Sequence, residues 1–260
     1  MTVFIRRLAA TAAVVSLAFA GAVPALAAAP PLKAADYAKI LADPARPEAD
    51  RKDDEARKPA EVLGFAQVRP GETVLEIEVG RGWMTELLSR AVGPKGKVVT
   101  QNPKQFAYSG PAMAARHVNG ALANVTDTTT PFDALQPASA SVDRVLWVLG
   151  PHEIYYAPKD SPALGDQTKT YAEIFRVLKP GGVFVAMDHA AAAGAPSSTG
   201  GTIHRVDPAI VLAAAKAAGF KFDARSEILA NPADDHSKMV FDPTRRRHTD
   251  QFLFRFVKPK

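Results

Sequence analysis

Residues 74–88 read VLEIEVGRGWMTELL, and this stretch decides the fold class. An apolar run ends at Ile77, glycines follow at positions 80 and 82, and an amphipathic stretch begins at Trp83. Glycine lets the backbone turn tightly and approach a ligand closely. The stretch therefore predicts a strand, a glycine-rich turn and a helix, the arrangement that holds nucleotide-like cofactors in α/β proteins.

The same alternation of strand and helix patterns continues along the chain. Apolar runs predict seven strands, at 73–77, 97–100, 121–125, 141–149, 183–187, 220–229 and 251–257. Helical patterns lie between most of them, chiefly at 83–92, 111–117, 168–178 and 207–219. Continuous apolar strands joined through helices predict an α/β fold with a doubly wound, mostly parallel sheet. The last two strands have no helical pattern between them, so we expect an antiparallel last strand, and the aperiodic residues 190–202 predict a mobile loop.

The first residues predict where the protein is located. Arg6 and Arg7 precede an apolar run at 8–19, and residues 25–27 form a small-residue cleavage site. This pattern is typical of a secretory signal peptide, here residues 1–27, so a periplasmic or secreted protein is expected. The apolar run is short for a membrane span, so no stable membrane insertion is expected after cleavage. An uncleaved N-terminal anchor is the alternative.

Composition restricts the classes of function. The 260-residue chain has no cysteine, which excludes disulfides and thiolate chemistry. Its formal net charge is +5, of which the signal peptide contributes two, so a nucleic-acid-binding surface is not expected. Residues 28–58, rich in alanine, proline and charge, predict a helical or linker extension. Residues 59–260 predict one domain of ordinary size with its own core.

The order of these elements, the glycine turn and the run EIFRVLKPGGVFVAMD at 173–188 resemble the class I S-adenosylmethionine-dependent methyltransferases. This resemblance covers about residues 59–258 and implies a seven-stranded Rossmann-like methyltransferase fold. It also implies S-adenosylmethionine as the cofactor and a small molecule as the methyl acceptor. The segments AVGPKGKV, DHAA, HRVDPAIV and NPADDHSKMVFDP carry a narrower resemblance, to exported bacterial proteins that are predicted methyltransferases without an assigned substrate.

The resemblance implies five cofactor-binding positions. They are Glu76, Gly80, Gly82, Asn102 and Asp127. The acid at the end of the first strand would hydrogen-bond around the amino end of the cofactor, and the glycines would let the backbone approach it. Asn102 would contact the ribose, and Asp127, after the third strand, would lie near the adenine amine.

Two positions depart from the family's pattern. Glu78 replaces the first glycine of the turn, and Thr100-Gln101-Asn102 stands where an acid usually holds both ribose hydroxyls. An amide accepts from one hydroxyl but loses the charge-assisted bonds of a carboxylate. Glu78 would point away from the pocket, narrow it or pair with Arg81. These departures predict weak binding, and they leave open a non-catalytic ligand-binding module on the same fold.

Polar side chains concentrate after the fourth and fifth predicted strands. The candidate catalytic residues are His152, which precedes Glu153, together with Asp188, His189 and His204. Residues just past the carboxyl ends of neighbouring parallel strands lie on the same edge of a sheet. We therefore expect these side chains to line one crevice.

Two kinds of chemistry fit such a group. In the first, His152 or His189 is a general base that takes the proton of the methyl acceptor. In the second, neutral imidazoles and carboxylates converge on a divalent metal, which would make the protein a metal-dependent enzyme. The late loop with Asp235 and His236 would cover the crevice in either case.

N-terminal sequencing of protein from the periplasmic fraction of an expressing bacterium tests the signal-peptide prediction. The mature chain should begin at Ala28, because Ala25 and Ala27 satisfy the small-residue rule of signal cleavage. An Ala27→Arg variant, which places a large charge before the cleaved bond, should keep its signal peptide. Intact Met1 on a soluble cytoplasmic product would contradict the predicted location.

Overall fold

The computed structural model describes residues 29–118 and 121–260, so the predicted signal peptide, residues 1–27, lies outside the described residues. The helices are α1 (Ala34–Leu41), α2 (Glu48–Arg51), α3 (Asp54–Arg57), α4 (Pro59–Ala66), α5 (Trp83–Val92), α6 (Ser109–Arg116), α7 (Gln167–Val177), α8 (Thr199–Ile203) and α9 (Pro208–Ala217). The strands are β1 (Thr73–Ile77), β2 (Lys97–Asn102), β3 (Val125–Thr129), β4 (Val142–Val148), β5 (Leu178–His189), β6 (Lys221–Ser226) and β7 (Gln251–Val257). A 3-10 helix covers Pro151–Tyr155. Within this part of the chain, no helix combines the length and apolarity that crossing a membrane requires.

The seven strands form one sheet in the order β3-β2-β1-β4-β5-β7-β6. β1 to β5 pair in parallel, and β7 runs antiparallel to both of its neighbours. The predicted doubly wound, mostly parallel sheet with an antiparallel last strand is confirmed. The strand order reverses between β1 and β4, and such a reversal opens a ligand crevice at the carboxyl ends of the two strands.

Buried apolar side chains cover both faces of the sheet. Along β4, Val145 and Trp147 belong to the core under α7 and α9, whereas Leu146 belongs to the core under α4 and α5. Successive side chains of a strand point to opposite faces, so a nearly continuous apolar run is what a strand covered on both sides needs. The helices on both faces hold β1 and β4 in place around the crevice.

The N-terminal extension packs into the second of these cores. Tyr37 of α1 is 1% exposed, and its hydroxyl donates to the carbonyl of Leu63 at 3.1 Å. Arg46 donates to both carboxylate oxygens of Asp54, at 2.7 and 2.9 Å, and the Trp83 indole donates to the same carboxylate at 3.2 Å. These contacts fasten α1 and α3 to the start of α5, beside the glycine turn.

The third strand is shifted from its predicted position. It begins at Val125 rather than at residue 121, so Asp127 lies inside β3 and not after it. Leu122, which the sequence placed in the strand, packs instead with Val79 and Met113. β3 is an edge strand with one neighbour, and an edge strand needs fewer apolar side chains than a central one. The apolar pattern at residues 121–125 therefore predicted a strand several residues before the point where β3 begins.

The predicted loop at 190–202 contains the beginning of α8. A Cβ on Gly200 would lie 2.4 Å from the carbonyl oxygen of His152, and one on Gly201 would lie 2.6 Å from that of Tyr155. The two glycines therefore permit a close approach between α8 and the 3-10 helix. Residues 199–202 lack apolar periodicity because their small residues are needed for this backbone contact, and they are nevertheless helical.

Replacing Tyr37 tests whether the extension belongs to the core. Tyr37→Ala should lower the free energy of unfolding by about 3–5 kcal/mol, as for other large buried side chains. Tyr108 is 54% exposed, so Tyr108→Ala should lower the free energy of unfolding by no more than about 1 kcal/mol. Urea denaturation of both variants measures the difference, and equally small losses would show that the extension does not stabilise the fold.

Candidate functional site

The glycine turn leaves open space at one position and permits close packing at another. Gly80 and Gly82 both have positive φ, of 54° and 80°. A Cβ on Gly80 would meet no atom within 4 Å, whereas one on Gly82 would lie 2.5 Å from the Met113 sulfur. Gly80 therefore exposes its backbone to a ligand, and Gly82 lets α6 pack against the turn.

Glu78 takes the left-handed conformation that a glycine usually takes at this point. Its φ is 58°, and its backbone N–H donates to the Gln101 carbonyl at 2.7 Å. Its carboxyl group accepts from the Trp147 indole at 3.3 Å, so Trp147 and not Arg81 is its partner. Burial raises the pKa of Glu78 well above its usual value, and the nearby Glu153 carboxylate raises it further. The side chain thus turns towards β4, where its carboxyl group meets the indole of Trp147.

The two amides at the end of β2 have different roles. Gln101 is fully buried, and its side chain bonds to the backbone of Glu78 and Thr130. Asn102 is 7% exposed, and its Oδ1 has no hydrogen-bond partner among the described residues. Asn102 lines a cavity of about 130 Å³ together with Phe106. Asn102 is therefore the amide that can accept a hydrogen bond from a ligand hydroxyl.

Asp127 forms part of the wall of the same cavity. One carboxylate oxygen accepts from the Thr100 hydroxyl at 2.7 Å, and the other lies 3.0 Å from Nε2 of His117. Both oxygens are thus engaged by protein groups. An adenine amine could therefore donate to Asp127 only if it shared one of these oxygens with Thr100 or His117.

Glu76 faces α5 from inside β1. It is 2% exposed and accepts a hydrogen bond of 2.6 Å from the Thr85 hydroxyl. Burial raises its pKa to about 8, although the Thr85 hydroxyl and the charge of Arg116 oppose the shift. The observed contact of Glu76 holds the first turn of α5 against the strand that precedes the glycine turn.

His152 and Asp188 form a buried pair at the carboxyl ends of β4 and β5. Asp188 accepts from the backbone N–H of His152 at 2.6 Å and lies 2.8 Å from its Nδ1. This carboxylate partner assigns the proton to Nδ1 and directs Nε2 away from the core. Burial disfavours the charged ring, but the Asp188 and Glu153 carboxylates outweigh it and raise the pKa of His152 to about 10.

Glu153 and His204 complete a compact cluster with His152. Nε2 of His152 lies 3.1 Å from Nδ1 of His204 and 3.2 Å from Oε1 of Glu153, and the last two atoms are 3.4 Å apart. Sequence reasoning placed His152 and His204 in the site but treated Glu153 only as a neighbour. The proline that opens the 3-10 helix at residue 151 was the available signal, because a tight turn can bring adjacent side chains to one side.

His189 lies beside this cluster without joining it. It follows Asp188 directly on β5, and adjacent strand residues point to opposite faces. Its Nδ1 lies 2.7 Å from the Thr249 hydroxyl, and its ring centre is 6.2 Å from that of His152. Burial, and then the charge of His152, lower the pKa of His189 well below its usual value, so this ring is neutral.

The late loop reaches the cluster through an aromatic residue that sequence reasoning did not name. The ring of Phe241 lies 5.1 Å from that of His204. His236 lies 3.0 Å from an oxygen of Asp250, and Asp235 faces Arg245 at 3.6 Å. The loop therefore covers the edge of the site with Phe241, while His236 and Asp235 pair with other residues of the loop.

Solved structures with the same architecture identify the fold. The S-adenosylmethionine-dependent methyltransferase of Aquifex aeolicus has a TM-score of 0.57 at 20% identity, covering 87% of this chain and 99% of that one. The geranyl diphosphate C-methyltransferase of Streptomyces coelicolor A3(2), solved with Mg²⁺, geranyl diphosphate and S-adenosyl-L-homocysteine, has a TM-score of 0.57 at 13% identity, covering 84% and 88%. The chain has the class I methyltransferase fold.

Sequence comparison agrees with this fold over part of the chain. A segment of 127 residues is 29% identical to the ubiquinone/menaquinone biosynthesis C-methyltransferase UbiE of Hydrogenovibrio crunogenus. The segment is 48% of this chain and 45% of the relative, so the match spans about half of each protein. No family model matches the chain.

The methyltransferase fold places the two groups of polar residues on either side of Glu78. The Asn102 cavity lies at the carboxyl end of β2, and the His152 cluster lies past β4 and β5. A Cβ on Gly150, just before the cluster, would lie 2.2 Å from the Glu78 carboxyl group. Glu78 thus connects the glycine turn with the loop that carries His152.

The raised pKa of Glu76 predicts a pH-dependent stability. Between about pH 4.5, its value in the unfolded chain, and about pH 8, the unfolded chain loses the proton while the folded protein keeps it. The free energy of unfolding should therefore fall as the pH rises through this window. Glu76→Gln keeps an acceptor for Thr85 and removes this penalty.

Chemical denaturation between pH 4 and pH 8 measures the effect. At pH 4 the two proteins should have similar free energies of unfolding. At pH 8 the free energy of unfolding of the variant should exceed that of the wild type by roughly 4 kcal/mol, because each unit of pKa difference between the folded and unfolded states is worth about 1.4 kcal/mol. A constant difference across this range would show that Glu76 ionises normally in the folded protein.

Proposed function

We propose that the protein transfers a methyl group from S-adenosylmethionine to a small-molecule acceptor after export. The observation that carries the proposal is the buried Oδ1 of Asn102, an acceptor without a partner among the described residues, on a side chain that lines a cavity at the end of β2. A buried acceptor of this kind costs free energy unless a ligand or water satisfies it. The hydroxyl of a ribose can donate the hydrogen bond that Oδ1 of Asn102 lacks.

The cofactor side of the site is assigned to the turn and the cavity. S-adenosylmethionine would supply a methyl group already activated by its sulfonium, so the protein need only position the acceptor and receive its proton. Asn102 would accept from a ribose hydroxyl, and the exposed backbone of Gly80 would allow close approach. Asp127 would line the nucleoside cavity, while Glu76 and Gly82 would fix the shape of the turn.

The acceptor side of the site is assigned to the cluster of His152, Glu153 and His204. His152 and Glu153 lie past the end of β4, and His204 lies directly after α8, whereas the cavity lies at the end of β2. Asp188 holds His152 through one hydrogen bond from its backbone N–H and one from Nδ1 of its ring. The acceptor's proton would pass to the neutral His189 beside the cluster, because the raised pKa of His152 keeps the His152 ring protonated.

The size of the cavity favours the alternative of a non-catalytic module that binds a small ligand. The cavity beside Asn102 has a volume of about 130 Å³, and ligand pockets for drug-sized molecules are usually about 300 Å³ or more. A whole nucleoside therefore requires Phe106 or α6 to move outwards. If the protein is a methyltransferase, this movement lowers its affinity for S-adenosylmethionine but does not prevent binding.

Restoring the missing carboxylate at Asn102 tests the cofactor assignment. Asn102→Asp should tighten binding of S-adenosylmethionine and of S-adenosylhomocysteine about five- to tenfold in titration calorimetry. The gain arises because a charge-assisted hydrogen bond is worth about 1 kcal/mol more than a neutral one.

Gln101→Glu is the matched control, one residue earlier on the same strand. Its side chain is already bonded to backbone groups, so it should bring no gain and should cost stability. Equal effects of the two substitutions, or no binding by either protein, would contradict the assignment of Asn102 to a ribose hydroxyl. The non-catalytic alternative predicts that neither compound binds and that a smaller hydroxylated ligand does.

A further inference from the structure

We propose that His152, Glu153 and His204 bind a divalent transition-metal ion of the Zn²⁺ type. One atom from each side chain lies within 3.1–3.4 Å of the other two. All three residues are buried or nearly so; His152 and Glu153 follow β4, and His204 directly follows α8. The site is formed by the protein alone and does not depend on the methyltransferase proposal.

The spacing of the three atoms matches a tetrahedral ion. Metal–ligand bonds of about 2.0–2.1 Å in tetrahedral geometry separate the ligand atoms by about 3.3–3.4 Å. The observed separations of 3.1, 3.2 and 3.4 Å are close to these values. An ion about 2 Å from each atom therefore fits just off their common plane, after small side-chain shifts.

Hydrogen bonds account for only part of the cluster. Each of the three atoms is either a donor or an acceptor at any one time, so two of them are of the same type. When the ring N–H of His152 is shared between Glu153 and His204, the latter two atoms lie 3.4 Å apart as acceptors with no donor between them. A cation would accept a lone pair from all three atoms at once.

The surroundings resemble those of metal ligands in other proteins. A metal-bound histidine usually donates its other ring N–H to a carboxylate, and Asp188 takes that role for Nδ1 of His152. Glu153 is 8% exposed, and its second oxygen has no hydrogen-bond partner in the described ranges 29–118 and 121–260. That oxygen is free to join the coordination sphere.

The ligand types restrict the kind of metal. Two imidazoles and one carboxylate suit Zn²⁺, Co²⁺, Ni²⁺ or Fe²⁺, whereas Mg²⁺ and Ca²⁺ prefer oxygen ligands throughout. Three protein ligands leave at least one coordination position open. If the proposed function holds, the acceptor binds there through a hydroxyl or thiol group. The cation would lower the pKa of that group, so its proton would pass to solvent before methyl transfer and not to His189.

Metal binding to the full chain tests the inference without any cofactor. After chelator treatment and dialysis, one Zn²⁺ per chain should bind in titration calorimetry, and Co²⁺ should give the visible absorption of a four- or five-coordinate site. His204→Asn should weaken Zn²⁺ binding at least 100-fold. Asparagine suits this position because His204 has a φ of 55°, and asparagine tolerates the left-handed region.

His236→Asn is the matched control. His236 is also a histidine with positive φ, 61°, paired with a carboxylate, but it lies in the late loop. This variant should bind Zn²⁺ as the wild type does, and zinc should raise its melting temperature equally. Asp188→Asn should weaken binding by about 10- to 100-fold, as loss of a partner of a metal-bound histidine does.

Two results would overturn the proposal. The first is the absence of stoichiometric Zn²⁺ or Co²⁺ binding to the wild type. The second is binding that His204→Asn leaves intact, which would place the ion elsewhere. Because no cofactor is present, neither result depends on whether S-adenosylmethionine binds, and failure of the Asn102 experiment would leave this one unaffected.

Discussion

The candidate site depends on the buried carboxylate of Asp188. It has no solvent exposure and accepts hydrogen bonds from the backbone N–H of His152, from that of His189 and from the His152 ring. A buried carboxylate is costly unless it is paired in this way. The pairing joins the end of β5 to the 3-10 helix after β4, and α8 packs on that helix through Gly200. The position of His152, which the other two members of the cluster contact, therefore follows from the need to satisfy this one charge.

The two departures from the family's pattern have separate physical consequences. Glu78 occupies a left-handed position that costs a residue with a side chain about 1–2 kcal/mol. Its carboxyl group turns to Trp147 and leaves the Asn102 cavity free. Asn102 keeps an acceptor where an acid usually stands, but without a negative charge. The first departure thus affects the crevice between the two parts of the site, and the second affects the strength of a single hydrogen bond to a ligand.

Much of the fold could be predicted from the sequence because local pattern and tertiary burial agree. The observed bounds of β1, α5 and β7 are those that the apolar pattern predicted. These elements lie in the core, so the positions of their apolar residues are set by burial alone. β3 was misplaced because an edge strand carries little apolar signal. In the site, Asn102 was assigned to the ribose only through the family resemblance, because the different roles of Gln101 and Asn102 depend on which amide the backbone of the turn engages. Glu153 was missed because its position depends on a single turn of 3-10 helix.

Together, the two proposals place a nucleoside on the β2 side of Glu78 and a metal ion on the β4 side of one crevice. They can be tested together by a crystal structure of the protein grown with Zn²⁺ and S-adenosylhomocysteine, with anomalous data collected on both sides of the zinc absorption edge. The expected structure has a zinc peak bonded to His152, Glu153 and His204, and a ribose hydroxyl at Oδ1 of Asn102. A zinc ion bound elsewhere, with the cluster held together by protons alone, or a nucleoside outside the Asn102 cavity, would contradict it.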